Sequence, residues 1–349
     1  MFVRVLIASA VALAAAFAPT PALAAPTTVV VQGLNNPRGL AFGPDGALYV
    51  AEAGKGGAGP CFPGPEGGEA CFGTSGALAR VKNGALTRVI TGLPSVADPD
   101  GSGAIGPSDV SFLGIGFLTI GLGANPALRG QLPPAGKKLG TLNTFVPGPV
   151  TPAPTFKRVA DVSAYEAAHN PDGGEVDSNP ESVVPGPGGL AVSDAGGNSL
   201  LGVSANGAIK TLAVFPDRDG FQAVPTGVAY YQGAYYVGQL TGFPFPKGAA
   251  RIYKVVPGHQ PQIVATGLTN LIDVAVTSNG TIYALEIAHE GLLNPAPSGR
   301  LLKIRPGQSP VTVVGGLILP GGFALHDGYA YISNCGVCAG GGQIVRVPL

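Results

Sequence analysis

The chain has 349 residues, with 20 basic side chains against 20 acidic, 56 glycines and 34 prolines. Balanced charge excludes the basic footprint that binding to nucleic acid or an anionic membrane requires. The glycines and prolines fall between β-branched and aromatic runs, as turn punctuation, which excludes a disordered low-complexity chain.

The first residues read as an export signal: Arg4, an apolar run from Val5 to Phe17, then Ala22-Leu23-Ala24 at the positions a signal peptidase reads. The run is too short for a membrane span and ends in Pro19 and Pro21. Cleavage is expected after Ala24, with residues 25–349 forming one domain that is secreted or periplasmic.

Thr28–Leu34 follows as a lone β-branched strand. The next unit, Asn36 to Glu52, is a strand, the turn Gly43-Pro44-Asp45-Gly46 and a second strand, with Asp-Gly as the hairpin signal. The unit returns five times: Pro107–Leu122 around Gly116, Pro180–Asp194 around Gly188, Pro225–Gln239 around Gly233, Leu271–Glu286 around Gly280, and Pro320–Asn334 around Gly328. Spacings of 45, 47 and 48 residues between the last four glycines match a four-stranded propeller blade. A third-strand motif also repeats, as Gly76–Val81, Ala250–Val255, Gly299–Ile304 and Gly342–Val347. Fourth strands ending in Gly-Leu follow at Leu86–Leu93, Gln262–Leu268 and Val311–Leu317. The last unit stops after its third strand, and Thr28–Leu34 has the fourth-strand pattern. The fold class is therefore all-β, a six-bladed β-propeller whose N-terminal strand completes the last blade and leaves no exposed sheet edge there.

The four cysteines form two local pairs, Cys61/Cys71 and Cys335/Cys338, read as disulfide staples suited to an oxidising compartment. The second pair has CxxC spacing but neither a thioredoxin-like context nor a second CxxC.

In such a ring the starts of first strands and the ends of second strands share one face, the top. The long insertions lie there: Ala53–Ser75, Gly123–Leu139, Ala164–Asn179, Thr241–Gly248 and Ile287–Ser298. Function in propellers concentrates on such displayed loops. Second-strand ends align Glu52, Leu122, Asp194, Gln239, Glu286 and Asn334. First-strand starts add Arg38, Asp109, Glu181, Ser182, Thr226 and Asp273. Glu52, Asp194, Asn198, Asp273 and Glu286 carry the oxygen ligands that a Ca²⁺ takes. The same groups also suit plain hydrogen bonding at loop mouths. Arg38, Glu52, Asp109, Glu181, Gln239 and Asn334 are candidates for direct ligand contact. Phe243 and Phe245, stiffened by prolines, either stack on a ring or sugar or pack the loop.

His259 and His326 fall in bottom turns. His169 and His289 fall in top loops beside Glu166 and Glu290, the pairing a general acid–base would use, and are the catalytic candidates. No nucleophile elbow, HExxH, P-loop or dinucleotide fingerprint is present, and long helical patterns are missing.

The stretch Pro37–Glu52 resembles NHL-type propeller repeats. Nearly the whole of residues 25–349 resembles the ScyD/ScyE family of secreted propellers. The matching segments are Cys61–Glu66 with Cys71, Ala164–Ala168, Asn170–Gly174, Val176–Pro180, Asp194–Asn198 and Leu240–Pro246. The resemblance implies fold and export and carries no catalytic set. The leading expectation is a monomeric binding or scaffold propeller that takes a small molecule, glycan or peptide on its top face. The alternatives are a Ca²⁺-dependent lactonase or esterase with metal in the channel mouth, and an envelope or matrix interaction module.

Overall fold

A computed structural model describes residues 26–64, 67–149, 156–305 and 307–349. The expected export signal lies outside the described residues. The strands form six antiparallel sheets arranged as the blades of a ring. Blade one contains Pro37–Phe42, Leu48–Glu52, Glu69–Lys82 and Ala85–Ala97, with Cys61–Pro63 added on the Glu69–Cys71 side. Blade two has Pro107–Leu113, Ile115–Ile120, Thr141–Phe145 and Lys157–Asp161. Blade three has Pro180–Gly186, Gly189–Asp194, Ser199–Val203 and Ile209–Val214. Blade four has Pro225–Tyr231, Ala234–Gln239, Ala250–Val255 and Gln262–Leu268. Blade five has Leu271–Val276, Ile282–Glu286, Gly299–Ile304 and Val311–Leu317. Blade six joins Gly322–His326, Tyr329–Asn334 and Gly342–Pro348 to the N-terminal Thr28–Leu34.

That last pairing closes the ring as the repeat pattern predicts, with Leu34 opposite Gly342 and Thr28 opposite Arg346. Leu34 is fully buried against Leu40, Leu48, Val50, Ala79 and Ile344. Second and third strands are the most buried, because each is covered by the neighbouring blade on both faces. Leu48–Glu52 and Ser199–Val203 are buried throughout. Fourth strands are largely solvent-facing, as in Gln262–Leu268.

Two local expectations change. The blade-two hairpin turns at Gly114 (φ +73°), not at Gly116, so Ile120 rather than Leu122 stands opposite Pro107. Gly116 is small for a different reason: a side chain there would run into the Phe145 ring, 2.2 Å away. The insertion after blade two is not all loop. Val162–His169 is an α-helix, capped by Asp161, whose carboxylate accepts the Ala164 amide at 3.0 Å, and ended by Asn170 at φ +39°.

Both disulfides are formed. Cys61–Cys71 ties the extra strand to the long third strand of blade one. Cys335–Cys338 closes the turn after the second strand of blade six, and the Cys338 carbonyl accepts the Asn36 amide at 2.8 Å. Among the described residues no helix is long and apolar enough to cross a membrane.

Candidate functional site

A cavity of about 860 Å³ opens on the top face over the ring axis, lined by residues of all six blades. Its floor is built by one repeated position, the residue after the first-strand proline or its equivalent. Arg38, Ser108, Glu181, Thr226 and Ile272 occupy it in blades one to five. The walls are mostly apolar and come from the long loops, with Ile105, Phe245, Ile287, Leu292 and Val337 among them.

Arg38 donates to the Ala104 carbonyl at 2.7 Å, which holds the guanidinium at the mouth. Burial pushes the Glu181 carboxyl up; the Arg38 charge and a Ser108 hydroxyl bond pull it back only in part. The Thr226 hydroxyl donates to the Leu271 carbonyl at 2.8 Å. The floor thus presents a cation, a carboxyl and hydroxyls side by side beneath an apolar wall.

One residue further along, Asp109 and Asp273 sit between inner strands. The Asp109 carboxylate accepts from the Ser182 hydroxyl (2.7 Å) and from the Val183 and Val110 amides (2.9 and 2.8 Å). Asp273 accepts from the Phe323 and Val274 amides at 2.9 and 2.8 Å. Gly39 and Gly227 make room for them: a Cβ on Gly39 would stand 2.1 Å from Asp109 Oδ1, and one on Gly227 2.5 Å from Asp273 Oδ1. Burial pushes the Asp109 carboxyl up to about 7 despite these donors, and lifts Asp273 well above the usual carboxylate range, with the Asp109 charge adding to it.

The ends of the second strands do different work. Glu52 is fully buried, accepts the Asn35 amide at 2.8 Å and takes both Nε and Nη2 of Arg88 at 2.8 Å. Glu286 repeats this with the Thr269 amide at 2.8 Å and Arg300. Asp194 accepts the Asn179 amide at 2.6 Å, the Ser178 hydroxyl at 2.7 Å and the Gly197 amide at 3.2 Å, and burial raises its carboxyl to about 6. Asn334 accepts the Ile318 amide at 2.7 Å. In four blades, therefore, this position ties down the chain segment entering the same blade. Gln239 is buried with neither amide atom bonded. Asn198 is bonded at both amide atoms, its Oδ1 taking the Val224 amide and its Nδ2 giving to Asp172.

Of the residues singled out in the sequence, Arg38, Glu181, Thr226 and Phe245 line the cavity. Glu52, Asp109, Asp194, Asn198, Gln239, Asp273, Glu286 and Asn334 do not. Phe243 is 72% exposed and meets Phe245 edge to face. His169 stacks on Tyr165 and its ring nitrogen bonds the Tyr165 carbonyl; His289 bonds the Ser298 carbonyl at 2.5 Å; neither lines the cavity. Sequence reasoning missed Ser108, Ile272 and the hydrophobic wall. Aligning the second residue of each first strand would have found the first two. Among the described residues, three ligand atoms of His, Cys, Asp or Glu lie within 4.8 Å of one another only at Cys61, Glu69 and Cys71, where the disulfide holds both sulfurs.

No family model and no curated protein sequence matches the chain. Solved structures do. A gluconolactonase from Xanthomonas campestris superposes with a TM-score of 0.55 at 9% identity, over 93% of this chain and 90% of that one. The PQQ-bound aldose sugar dehydrogenase of Streptomyces coelicolor gives 0.55 at 13% identity, over 94% and 99%. A virginiamycin B lyase from Staphylococcus aureus gives 0.51 at 10%, over 93% and 98%. Three chemistries on one architecture make the likeness one of fold, not of activity.

Proposed function

We propose that this is an exported binding propeller whose top-face cavity takes a small organic ligand with a polar head and an apolar body. The observation that carries the reading is the cavity itself: about 860 Å³, within the size range of small-molecule sites, apolar on its walls and polar on its floor. Arg38 recognises a carboxylate or hydroxyl, Glu181 a hydroxyl or amine, and Ile105, Ile272 and Ile287 the body of the molecule. The segments resembling the ScyD/ScyE family, the two disulfides and the N-terminal signal pattern support export.

The gluconolactonase neighbour raises a hydrolase reading, in which a divalent ion polarises a carbonyl at the mouth. Ca²⁺ needs several convergent oxygen donors. The floor offers one carboxylate, Glu181, beside the Arg38 guanidinium; the wall acids Glu69, Asp98 and Asp177 do not join it to bring three carboxylate oxygens within 4.8 Å of one another, and Asp109 and Asp273 already accept backbone amides. That donor set does not fit the ion, and binding remains the better-supported reading.

Thermal-shift titration against aldoses, aryl glycosides, aromatic carboxylates and short peptides tests it. A hit in the parent protein that disappears in Ile272→Arg, which fills the floor, supports the cavity as the site. Silence across all four classes, or a hit unaffected by Ile272→Arg, counts against it. Turnover of lactones or aryl esters that is lost in Glu181→Gln would replace binding with hydrolysis.

A further inference from the structure

At the blade-three side of the cavity, where Asp177 and Gly196 form part of its wall, three buried oxygens have no donors. Glu166, the fifth residue of the helix Val162–His169, is 1% exposed, and its Oε1 is buried with no hydrogen-bond partner. Asn170, which ends the helix, has its Nδ2 committed to the Gly174 carbonyl at 2.9 Å. That bond fixes the amide orientation and leaves Oδ1 buried and unbonded. Asp177, seven residues on, likewise has a buried Oδ1 with no partner, although its carboxylate takes a bond from the Ser178 amide. All three orphans are acceptors.

Two glycines of the adjoining turn let these acids approach. A Cβ on Gly197 would stand 2.6 Å from Glu166 Oε2, and one on Gly196 would stand 2.9 Å from the Asp177 Cγ. The charges acting on Glu166 are those of Asp194, Asp172 and Asp177, all negative. Those acting on Asp177 come from Glu175 and Asp172, again negative. Asp172 and Asp194 have their own donors: Asp172 takes the Gly174 amide and Asn198 Nδ2, and Asp194 takes Asn179, Ser178 and Gly197.

Buried acceptors without donors are costly unless something positive answers them. A hard cation with carboxylate and amide oxygens answers all three at once, and Ca²⁺ accepts such mixed, loop-borne donor sets with water completing the shell. We propose that Glu166, Asn170 and Asp177 hold a Ca²⁺ ion, with Asp172 and Asp194 adding negative charge behind them. The ion fastens the helix and its following loop to the turn Ala195–Asn198 of blade three. The site adjoins the cavity through Asp177 but does not use the floor residues Arg38, Ser108, Glu181, Thr226 and Ile272.

The test is calorimetric titration of Ca²⁺ into the chelator-stripped full-length mature protein, paired with melting curves in EDTA and in Ca²⁺. The parent protein is expected to bind one ion per chain and melt higher in Ca²⁺. Glu166→Gln and Asp177→Asn are each expected to weaken binding by about tenfold or more, since ligand charge sets affinity in such sites. Both are isosteric. In EDTA each should melt at or above the parent, because a buried negative charge has gone; this separates loss of the ion from loss of the fold. Asp100→Asn, on an exposed loop of another blade, should leave the titration unchanged. The proposal fails if the parent shows no heat and no melting shift at millimolar Ca²⁺. It fails equally if binding survives both substitutions, or survives them and is lost in Glu181→Gln, which would put the ion at the cavity floor.

Discussion

Leu34 is the residue on which ring closure can be measured. It is fully buried and packs on Leu40, Leu48 and Val50 of blade one and on Ile344 of the strand it pairs with. Leu34→Ala therefore removes apolar contact at the seam between first and last blades without touching the backbone ladder. Truncating a buried leucine costs about 2–5 kcal/mol, with the upper end where the surroundings cannot collapse. Here the surroundings are sheet residues fixed by their own ladders, so a loss of about 4 kcal/mol is expected. Val29, on the same strand but 52% exposed, provides the control, and Val29→Ala should stay within about 0.5 kcal/mol. Removing the chain through Leu34 goes further, because it also strips Gly342–Pro348 of one of its two partner strands and leaves an open edge. Urea unfolding with circular dichroism, alongside size-exclusion chromatography of the truncated chain, reads all three. A truncated chain that unfolds at the parent's midpoint and stays monomeric would refute the closure argument.

Arg88→Ala leaves the Glu52 carboxylate buried without its cation and should cost about 3 kcal/mol in urea unfolding, with much of the loss recovered in the double variant with Glu52→Gln. Asp109 should make the protein less stable as pH rises. Its folded-state carboxyl is lifted to about 7, so between the ordinary carboxylate range and pH 7 the folded state holds a proton that the unfolded state has released, and stability falls through that window. Asp109→Asn should flatten this slope in melting curves from pH 4 to 8, whereas an unchanged slope would place the titration elsewhere, Asp273 first. Replacing Cys61 and Cys71 by serine should cost about 3 kcal/mol and replacing Cys335 and Cys338 about 2 kcal/mol on the chain-entropy estimate, the order following loop length. Urea midpoints that do not move under reductant would contradict both.

The blade plan was legible because its signals are local: alternating strands and turn glycines, repeated near one period. Blade two shows where local signals fail. Leu113-Gly114-Ile115-Gly116 offers two glycines, and only the Phe145 ring across the sheet decides that Gly116 serves packing while Gly114 makes the turn. The same holds for the acidic ring. Glu52, Asp194 and Glu286 are visible as equivalent positions, but all of their donors except the Gly197 amide lie 14 to 36 residues away in the chain. Arg38 and Glu181 could be placed at the mouth from repeat alignment alone. The helix carrying Glu166 could not, since its eight residues show no strong amphipathic stripe and its cap, Asp161, also pairs with Arg129 and Arg158.

The partnership between Thr28–Leu34 and Gly342–Pro348 also sets an order of events. Blades one to five are assembled from neighbouring hairpins, whose ends meet after short excursions of chain. The sixth waits for segments some three hundred residues apart to find each other, the most entropically demanding encounter in the molecule. Until then Thr28–Leu34 has no partner and the sixth sheet has an unpaired flank. The N-terminal strand therefore acts as a late latch, and the interval before it engages is when the chain is most open to pairing with a neighbour.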